Sequence, residues 1–192
     1  MDIDFINTPW FKMMVALAAI VVFSFATRRM KRRSETSENP EALQAGMTVL
    51  GEAYRLFSDV LVPTQYGMSR IDHLIVSPHG IFVVTVKKQA GKVEGRTGDS
   101  EWMQKSSGQR VTFANPLWEN RKQMNNLEAH LGNYHYIPVV VFSRARLKGN
   151  FAANVVTAHK LFDFIRKHDR LVLNSEQLKS IVEKLEKKLE DG

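Results

Sequence analysis

An apolar run near the N-terminus constrains the architecture more than any other feature of this 192-residue sequence. Between Trp10 and Thr27 the only charged residue is Lys12, and residues 13–23 are all apolar. A helix of this length, rising about 1.5 Å per residue, spans roughly 27 Å, which is close to the thickness of a hydrocarbon core. The run therefore predicts one transmembrane helix, Trp10–Thr27, preceded by a short extracytoplasmic tail at residues 1–9.

The charges on either side of the run predict its orientation. Two acidic residues precede it, and five basic residues follow it closely: Arg28, Arg29, Lys31, Arg32 and Arg33. Because such basic clusters remain in the cytoplasm, we expect a single-pass protein of the inner (cytoplasmic) membrane with its N-terminus outside. A cleavable signal peptide would carry the basic residues before the apolar run, which is the reverse of the order found here.

The overall positive charge belongs largely to this juxtamembrane cluster. Six of the 27 basic residues and two of the 20 acidic residues precede residue 34, so the net charge of +7 falls to +3 for the remainder. Global charge is therefore weak evidence for nucleic-acid binding. We interpret residues 28–40 as a basic, polar linker and residues 41–192 as one domain ending in helices. Because the sequence has no cysteine, disulfides and thiolate metal sites are excluded.

Apolar patterning in this domain predicts the α/β class, with a mixed sheet flanked by helices. A three-stranded meander is expected first, followed by shorter strands and one further apolar strand. The basic stretch after Phe142 is expected to be a loop. The predicted strands are 54–62, 70–76, 81–87, 91–95, 101–104, 110–113, 136–142 and 155–156, and the predicted helices are 41–50, 116–131, 159–167 and 176–189.

Three polar residues interrupt the apolar strands. Asp72 lies within a strand, where a carboxylate without a partner is costly. Thr85 and Lys87 end the next strand, and residues two apart in a strand point to the same face. If the two strands form a hairpin across residues 78–80, we expect the carboxylate, the hydroxyl and the ammonium group to meet at one edge of the sheet.

These residues carry a family resemblance. The segments Ile71–His73, Gly80, Thr85–Lys87, Gly91–Gly95 and Asn115–Glu119 occur in an order and spacing that resemble the nuclease-related domain (NERD) family. The similarity covers residues 41 to about 143. That family belongs to the restriction-endonuclease-like PD-(D/E)XK superfamily, so the resemblance implies a restriction-endonuclease-like mixed sheet and a site for Mg²⁺ or Mn²⁺.

The resemblance implies roles for individual residues and shows two departures from the family pattern. Asp72 would be a metal ligand, the Val86 carbonyl a further ligand, and Lys87 the catalytic lysine. Thr85 stands at the degenerate position, where the family has a metal-binding Glu, and Glu119 replaces a Gln. Either Glu119 supplies the missing carboxylate, as a catalytic residue and metal ligand, or the site is weak or inactive and has no cofactor. In the second case Glu119 is simply a favourable residue in the first turn of a helix.

The remaining candidates have simpler alternatives. Lys88, Lys92 and Arg96 could bind substrate by contacting phosphates, although a solvated basic rim explains them equally well. We expect His73 to face away from Asp72, and Trp102 to pack in the core. The sequence thus predicts a membrane-anchored nuclease-related domain that binds or cleaves DNA, as a possible Mg²⁺-dependent endonuclease. The alternative is an inactive scaffold that docks a protein partner in a membrane complex.

Overall fold

The computed structural model describes Leu43, residues 46–65 and residues 67–190 of the chain. The predicted tail at 1–9, the transmembrane helix at 10–27 and the linker at 28–40 lie outside these residues. In the described ranges, no helix combines the length and the apolar character that crossing a bilayer requires. The predicted helix at 41–50 is described in part, and Leu43, Gly46 and Met47 are helical.

A mixed sheet of seven strands forms the centre of the described domain. Strands β1 to β5 are antiparallel neighbours in chain order, so the predicted meander is confirmed. Strand β6 pairs parallel to β3, and β7 pairs parallel to β6. The strands are β1 (Arg55–Thr64), β2 (Gly67–Ser77), β3 (Gly80–Arg96), β4 (Glu101–Ser106), β5 (Gln109–Ala114), β6 (Tyr136–Asn150) and β7 (Val155–Thr157).

The helices α1 (Pro116–Leu131), α2 (Leu161–Arg166) and α3 (Ser175–Glu190) follow the predicted positions, with a 3-10 turn before α2. The side chain of Asn115 accepts a hydrogen bond from the Leu117 N–H at 3.0 Å and caps α1. Asn174 caps α3, because its Oδ1 accepts from the Gln177 N–H at 2.8 Å. Gln177 Oε1 accepts in return from the Asn174 N–H at 3.0 Å. This reciprocal pair is a capping box, which satisfies two N–H groups at the start of the helix.

Helices cover both faces of the sheet. On one face, strand residues such as Leu74 and Val83 pack on α1 and α3 through Leu127 and Ile181. On the other face, a second cluster that includes Phe82 packs on α2. Each fully buried apolar side chain of this size contributes about 1.5–3 kcal/mol. The α/β class, with helices flanking a sheet, is confirmed.

Two strands are longer than predicted. The segments 81–87 and 91–95 are one strand, β3, with a register irregularity between Lys87 and Ala90. The basic stretch after Phe142, predicted as a loop, instead extends β6, which stays paired with β3 as far as Asn150. The loop prediction was wrong because this stretch alternates inward apolar residues with outward basic ones. That is the pattern of a strand with one solvated face.

Candidate functional site

Strands β2 and β3 place Asp72, Thr85 and Lys87 on the sheet face that carries α1. The β2–β3 register pairs Leu74 with Val83 and His73 with Val84, and continuing it by one residue sets Asp72 opposite Thr85. Leu74 and Val83 belong to the cluster that packs on α1. Because alternate residues of a strand share a face, Asp72, Thr85 and Lys87 point to the same side.

Asp72 links β2 and β3 just beyond the point where their residue pairing ends. Its Oδ2 accepts a hydrogen bond from the Val86 N–H at 2.7 Å, beyond the last β2–β3 residue pair at His73 and Val84. The N–H and C=O groups of one strand residue point to the same edge of the strand. The Val86 carbonyl therefore lies on the edge of β3 that faces Asp72, and one oxygen of the Asp72 carboxylate already has a protein partner.

Thr85 is fully buried beneath α1. Its hydroxyl donates to Gln123 Oε1 at 2.6 Å and accepts from Asn120 Nδ2 at 2.7 Å. The two amides bind the sheet as well, because Asn120 donates to the Val83 carbonyl at 2.9 Å and Gln123 donates to the Arg70 carbonyl at 2.9 Å. The Thr85 hydroxyl is thus part of a buried polar connection between helix and sheet.

Asn120 and Gln123 were not identified from the sequence. The predicted buried face of α1 was Leu117, Met124, Leu127 and Leu131, and the structure buries Leu127 and Leu131 together with Asn120 and Gln123. The spacing of these positions was a usable signal, because residues 120, 123 and 127 fall on one helical stripe. Polar amides on the stripe of a buried helix indicate hydrogen-bond partners across the interface.

Lys87 and Glu119 form an ion pair between β3 and the first turn of α1. The Lys87 side chain is 19% exposed and that of Glu119 is 50% exposed. Glu119 therefore lies close to the predicted metal site, as a residue that replaces the missing carboxylate ligand would have to. Its carboxylate is directed at the ammonium group of Lys87, so the two charges compensate each other.

These side chains do not fit a resident Mg²⁺ or Mn²⁺ ion. Asp72 contributes one carboxylate, Thr85 contributes no charge, and Glu119 is neutralised by Lys87. Within the described ranges, no three Asp, Glu or His side chains gather at a distance suited to a metal ion. Such ions are held by hard oxygen ligands, chiefly carboxylates together with water and substrate oxygens. A single carboxylate beside a buried neutral hydroxyl is a poor binding site for a divalent cation.

The other sequence candidates lie away from this group. His73 is buried, and its Nδ1 is 2.9 Å from Ser58 Oγ on the neighbouring strand. Trp102 is a packing residue, 1% exposed, with its Nε1 donating to the Arg96 carbonyl at 2.8 Å. Lys88 is exposed at the irregularity of β3, whereas Lys92 and Arg96 lie beyond it. Both alternate with buried Val93, so they face away from Trp102.

Comparison with known proteins adds a family relationship. A family model described as nuclease-related domain matches residues 41–143, more than half of the chain and a range that includes Asp72, Thr85, Lys87 and Glu119. An uncharacterized protein of Bacillus anthracis is 31% identical over 78 residues, which make up 40% of this chain and 37% of that protein. The chain thus matches little more than a third of the length of that relative. No solved structure gives a significant match.

Proposed function

The chain belongs to the nuclease-related domain family, and on that premise we propose that it binds DNA without cleaving it. The observation that carries this proposal is the burial and hydrogen bonding of Thr85. At the position of the family's metal-binding Glu, this residue is fully buried and hydrogen-bonded to Asn120 and Gln123. The family relationship supports DNA as the ligand, and the donor set argues against hydrolysis.

The ion pair at the site adds to the argument against cleavage. Metal-dependent phosphodiester hydrolysis needs a cation that polarises the phosphate and generates a hydroxide nucleophile. It also needs a positive group directed at the charge that develops on the phosphate. Lys87, the family's catalytic lysine, is instead compensated by Glu119. We therefore propose that Asp72, Thr85, Lys87 and Glu119 hold α1 against the sheet.

The test combines a cleavage assay with a binding assay on the full chain. With Mg²⁺ or Mn²⁺, supercoiled plasmid should remain intact while its electrophoretic mobility falls as protein is added. Metal-dependent nicking that disappears in Asp72→Ala and Lys87→Ala would refute the proposal. Unchanged plasmid mobility at low salt would favour the alternative of a scaffold for a protein partner in a membrane complex.

A gain-of-function variant tests the same reasoning from the other side. Thr85→Glu restores the family's carboxylate beside Asp72, so Mn²⁺ should raise the unfolding temperature of this variant and leave the natural chain unchanged. Thr112→Glu is the matched control, because Thr112 is exposed on β5. Equal responses of the natural chain and Thr85→Glu to Mn²⁺ would show that residue 85 does not limit metal binding.

We also propose that the domain is held at the cytoplasmic face of the inner membrane by residues 10–27. The apolar run and the basic cluster that follows it support this localisation. Because the chain has no cysteine, Asn7→Cys and Ser37→Cys give specific labelling sites on the two sides of the run. A membrane-impermeant maleimide added to intact cells should label only the first variant. Labelling of Ser37→Cys in intact cells would contradict the proposed orientation.

A further inference from the structure

The outer parts of β3, β4, β5 and β6 present two dissimilar faces. One face is apolar, with Val93, Trp102 and Ala145 buried, and Leu117 of α1 packs against it. Beyond the irregularity between Lys87 and Ala90, alternation along the strands places basic residues on the opposite face, which is the side of the sheet away from α1. We call this surface the basic face, and it comprises Lys92, Arg96, Lys105, Arg110, Arg144, Arg146 and Lys148.

Basic residues of neighbouring strands lie side by side on this face. Lys92 pairs in register with Lys105 on one side and with Arg146 on the other, and Lys105 pairs with Arg110. Adjacent strands are separated by about 4.8 Å. Like charges placed directly opposite each other destabilise a sheet. The arrangement therefore carries an electrostatic cost in the absence of a counter-charge.

One carboxylate at the centre offsets only part of this charge. Glu94 forms ion pairs with both Lys92 and Lys105. Hydrogen bonds from Lys105 and Lys92 lower the pKa of Glu94 to about 2. Glu101 is the other acidic residue that the strand alternation places here, so the seven basic residues exceed the two acidic ones by five charges.

The row on β6 extends the positive surface along the strand. Arg144, Arg146 and Lys148 are all exposed. Side chains two residues apart on a strand recur about every 6.6 Å, so the row is about 13 Å long. A flat row of cations of this kind is suited to a polyanion with regularly spaced charges.

The composition of the basic face favours duplex nucleic acid over the two other polyanionic partners. Single strands are bound largely by stacking on aromatic side chains. Amphipathic elements that bind lipid surfaces present inserted apolar residues beside their basic ones. In the described outer parts of these strands, the aromatic side chains Trp102, Phe113 and Phe142 lie in the apolar cluster on the opposite face. Phosphate contacts alone suffice for sequence-independent binding to a duplex.

We propose that the basic face binds duplex DNA through its phosphates, independently of sequence, on the side of the sheet away from Asp72 and Lys87. This inference rests on the proposed DNA-binding function and assigns it to a particular surface. The bound duplex would then be separated from Asp72 and Lys87 by the thickness of the sheet. Such binding would leave α1 and the polar group beneath it uncovered.

Neutralising variants of the full chain test the assignment. Arg146→Gln/Lys148→Gln removes two charges from the basic face. Arg121→Gln/Lys122→Gln removes the same two residue types from exposed positions on α1. Fluorescence anisotropy with a short labelled duplex, repeated at several salt concentrations, gives the affinity and its salt dependence for each variant.

The basic-face variant should bind about tenfold more weakly or worse, and its slope of log affinity against log salt should fall by about 1.8. The α1 variant should bind within about twofold of the natural chain, in keeping with a surface outside the contact. The α1 variant should keep the natural unfolding midpoint, since both of its side chains are exposed. The basic-face variant should match or slightly exceed that midpoint, because it relieves repulsion between like charges such as Lys92 and Arg146. A loss of affinity in the α1 variant alone would overturn the assignment to the basic face.

Three further outcomes separate the inference from the function on which it rests. Absence of duplex binding by the natural chain would refute the proposed function itself. Tighter binding to a single strand than to a duplex of equal length would overturn the inferred ligand. If the basic-face variant loses binding to anionic phospholipid vesicles and keeps its duplex affinity, the surface binds lipid and the inference is wrong.

Discussion

Replacing Thr85 by Val tests whether the residue at the degenerate position has acquired a structural role. The substitution removes a hydroxyl that donates to Gln123 and accepts from Asn120. Gln123 Oε1 would then be buried without this donor, which costs about 1–3 kcal/mol. Loss of the hydrogen bond from Asn120 adds about 1 kcal/mol, since the Asn120 amide still donates to the Val83 carbonyl and is not left without a partner. We therefore expect Thr85→Val to lower the free energy of unfolding by about 2–4 kcal/mol.

Equilibrium unfolding of the full chain in urea measures this loss as a lower midpoint with an unchanged slope. Thr112→Val is the matched control, because Thr112 is exposed and surface changes usually stay within about 0.5 kcal/mol. Gln123→Leu should cost less in the Thr85→Val background than in the natural chain, because the hydrogen bond between Thr85 and Gln123 is already absent there, whereas the bond to the Arg70 carbonyl is lost in both. A loss in Thr85→Val no larger than in the control would refute the structural role.

Three other substitutions test other parts of the domain. Lys105 and Lys92 lower the pKa of Glu94 to about 2, so Glu94 stabilises the fold above its ordinary pKa of 4.5, and this contribution is lost as pH falls from there towards 2. The urea midpoint of Glu94→Gln should accordingly depend less on pH in that range than the midpoint of the natural chain; parallel pH profiles would contradict this. Burial, with the negative charge of Glu128 adding to it, raises the pKa of the Tyr136 phenol, whose hydroxyl donates to the Gly132 carbonyl at 2.7 Å. The protonated phenol thus stabilises the fold up to a pH of about 10, and this effect is lost at higher pH. In an alkaline absorbance titration, Tyr136→Phe should therefore remove a phenol that ionises above pH of about 10; loss of an absorbance change below that pH would show the assignment to be wrong. A Cβ at Gly149, where φ is +151°, would overlap the Gly95 carbonyl on β3. Gly149→Ala should therefore cost about 1–3 kcal/mol in urea unfolding and weaken duplex binding, whereas Gly98→Ala, with open space around its Cβ, should be near neutral; equal midpoints would argue against the close β3–β6 pairing.

Much of the fold could be predicted because its signals are local. The helix α1 begins at Pro116, where the sequence places it, and the meander follows from three apolar runs separated by turns. The extension of β6 was missed because the average hydropathy of this stretch is polar. The charged Arg144, Arg146 and Lys148 outweigh the inward-facing Ala145 and Leu147 in that average. Their alternation is explained by pairing with β3, which is distant in sequence.

The residues of the candidate site could be singled out from the sequence, but their hydrogen bonds and ion pair could not be predicted. Family resemblance singled out residue 85 as a departure, yet the partners of its hydroxyl lie 35 and 38 residues away on α1. Prediction of the helix face assumed that buried residues are apolar, and Asn120 and Gln123 break that assumption. The direction of Glu119 towards Lys87 depends on how the helix crosses the strand, which residue spacing alone does not determine.

The parallel pairing of β3 with β6 also bears on how the domain is made during translation. Lys92 and Arg146 are neighbours in the sheet, but all of β4, β5 and α1 lie between them along the chain. Non-local parallel pairs of this kind form late, after the intervening chain has been synthesised and ordered. A nascent chain that has reached the end of α1 already contains Asp72, Thr85 and Lys87, while β6 and its row of cations have yet to leave the ribosome. Synthesis of the domain would therefore complete the family's site region before the surface inferred to bind DNA.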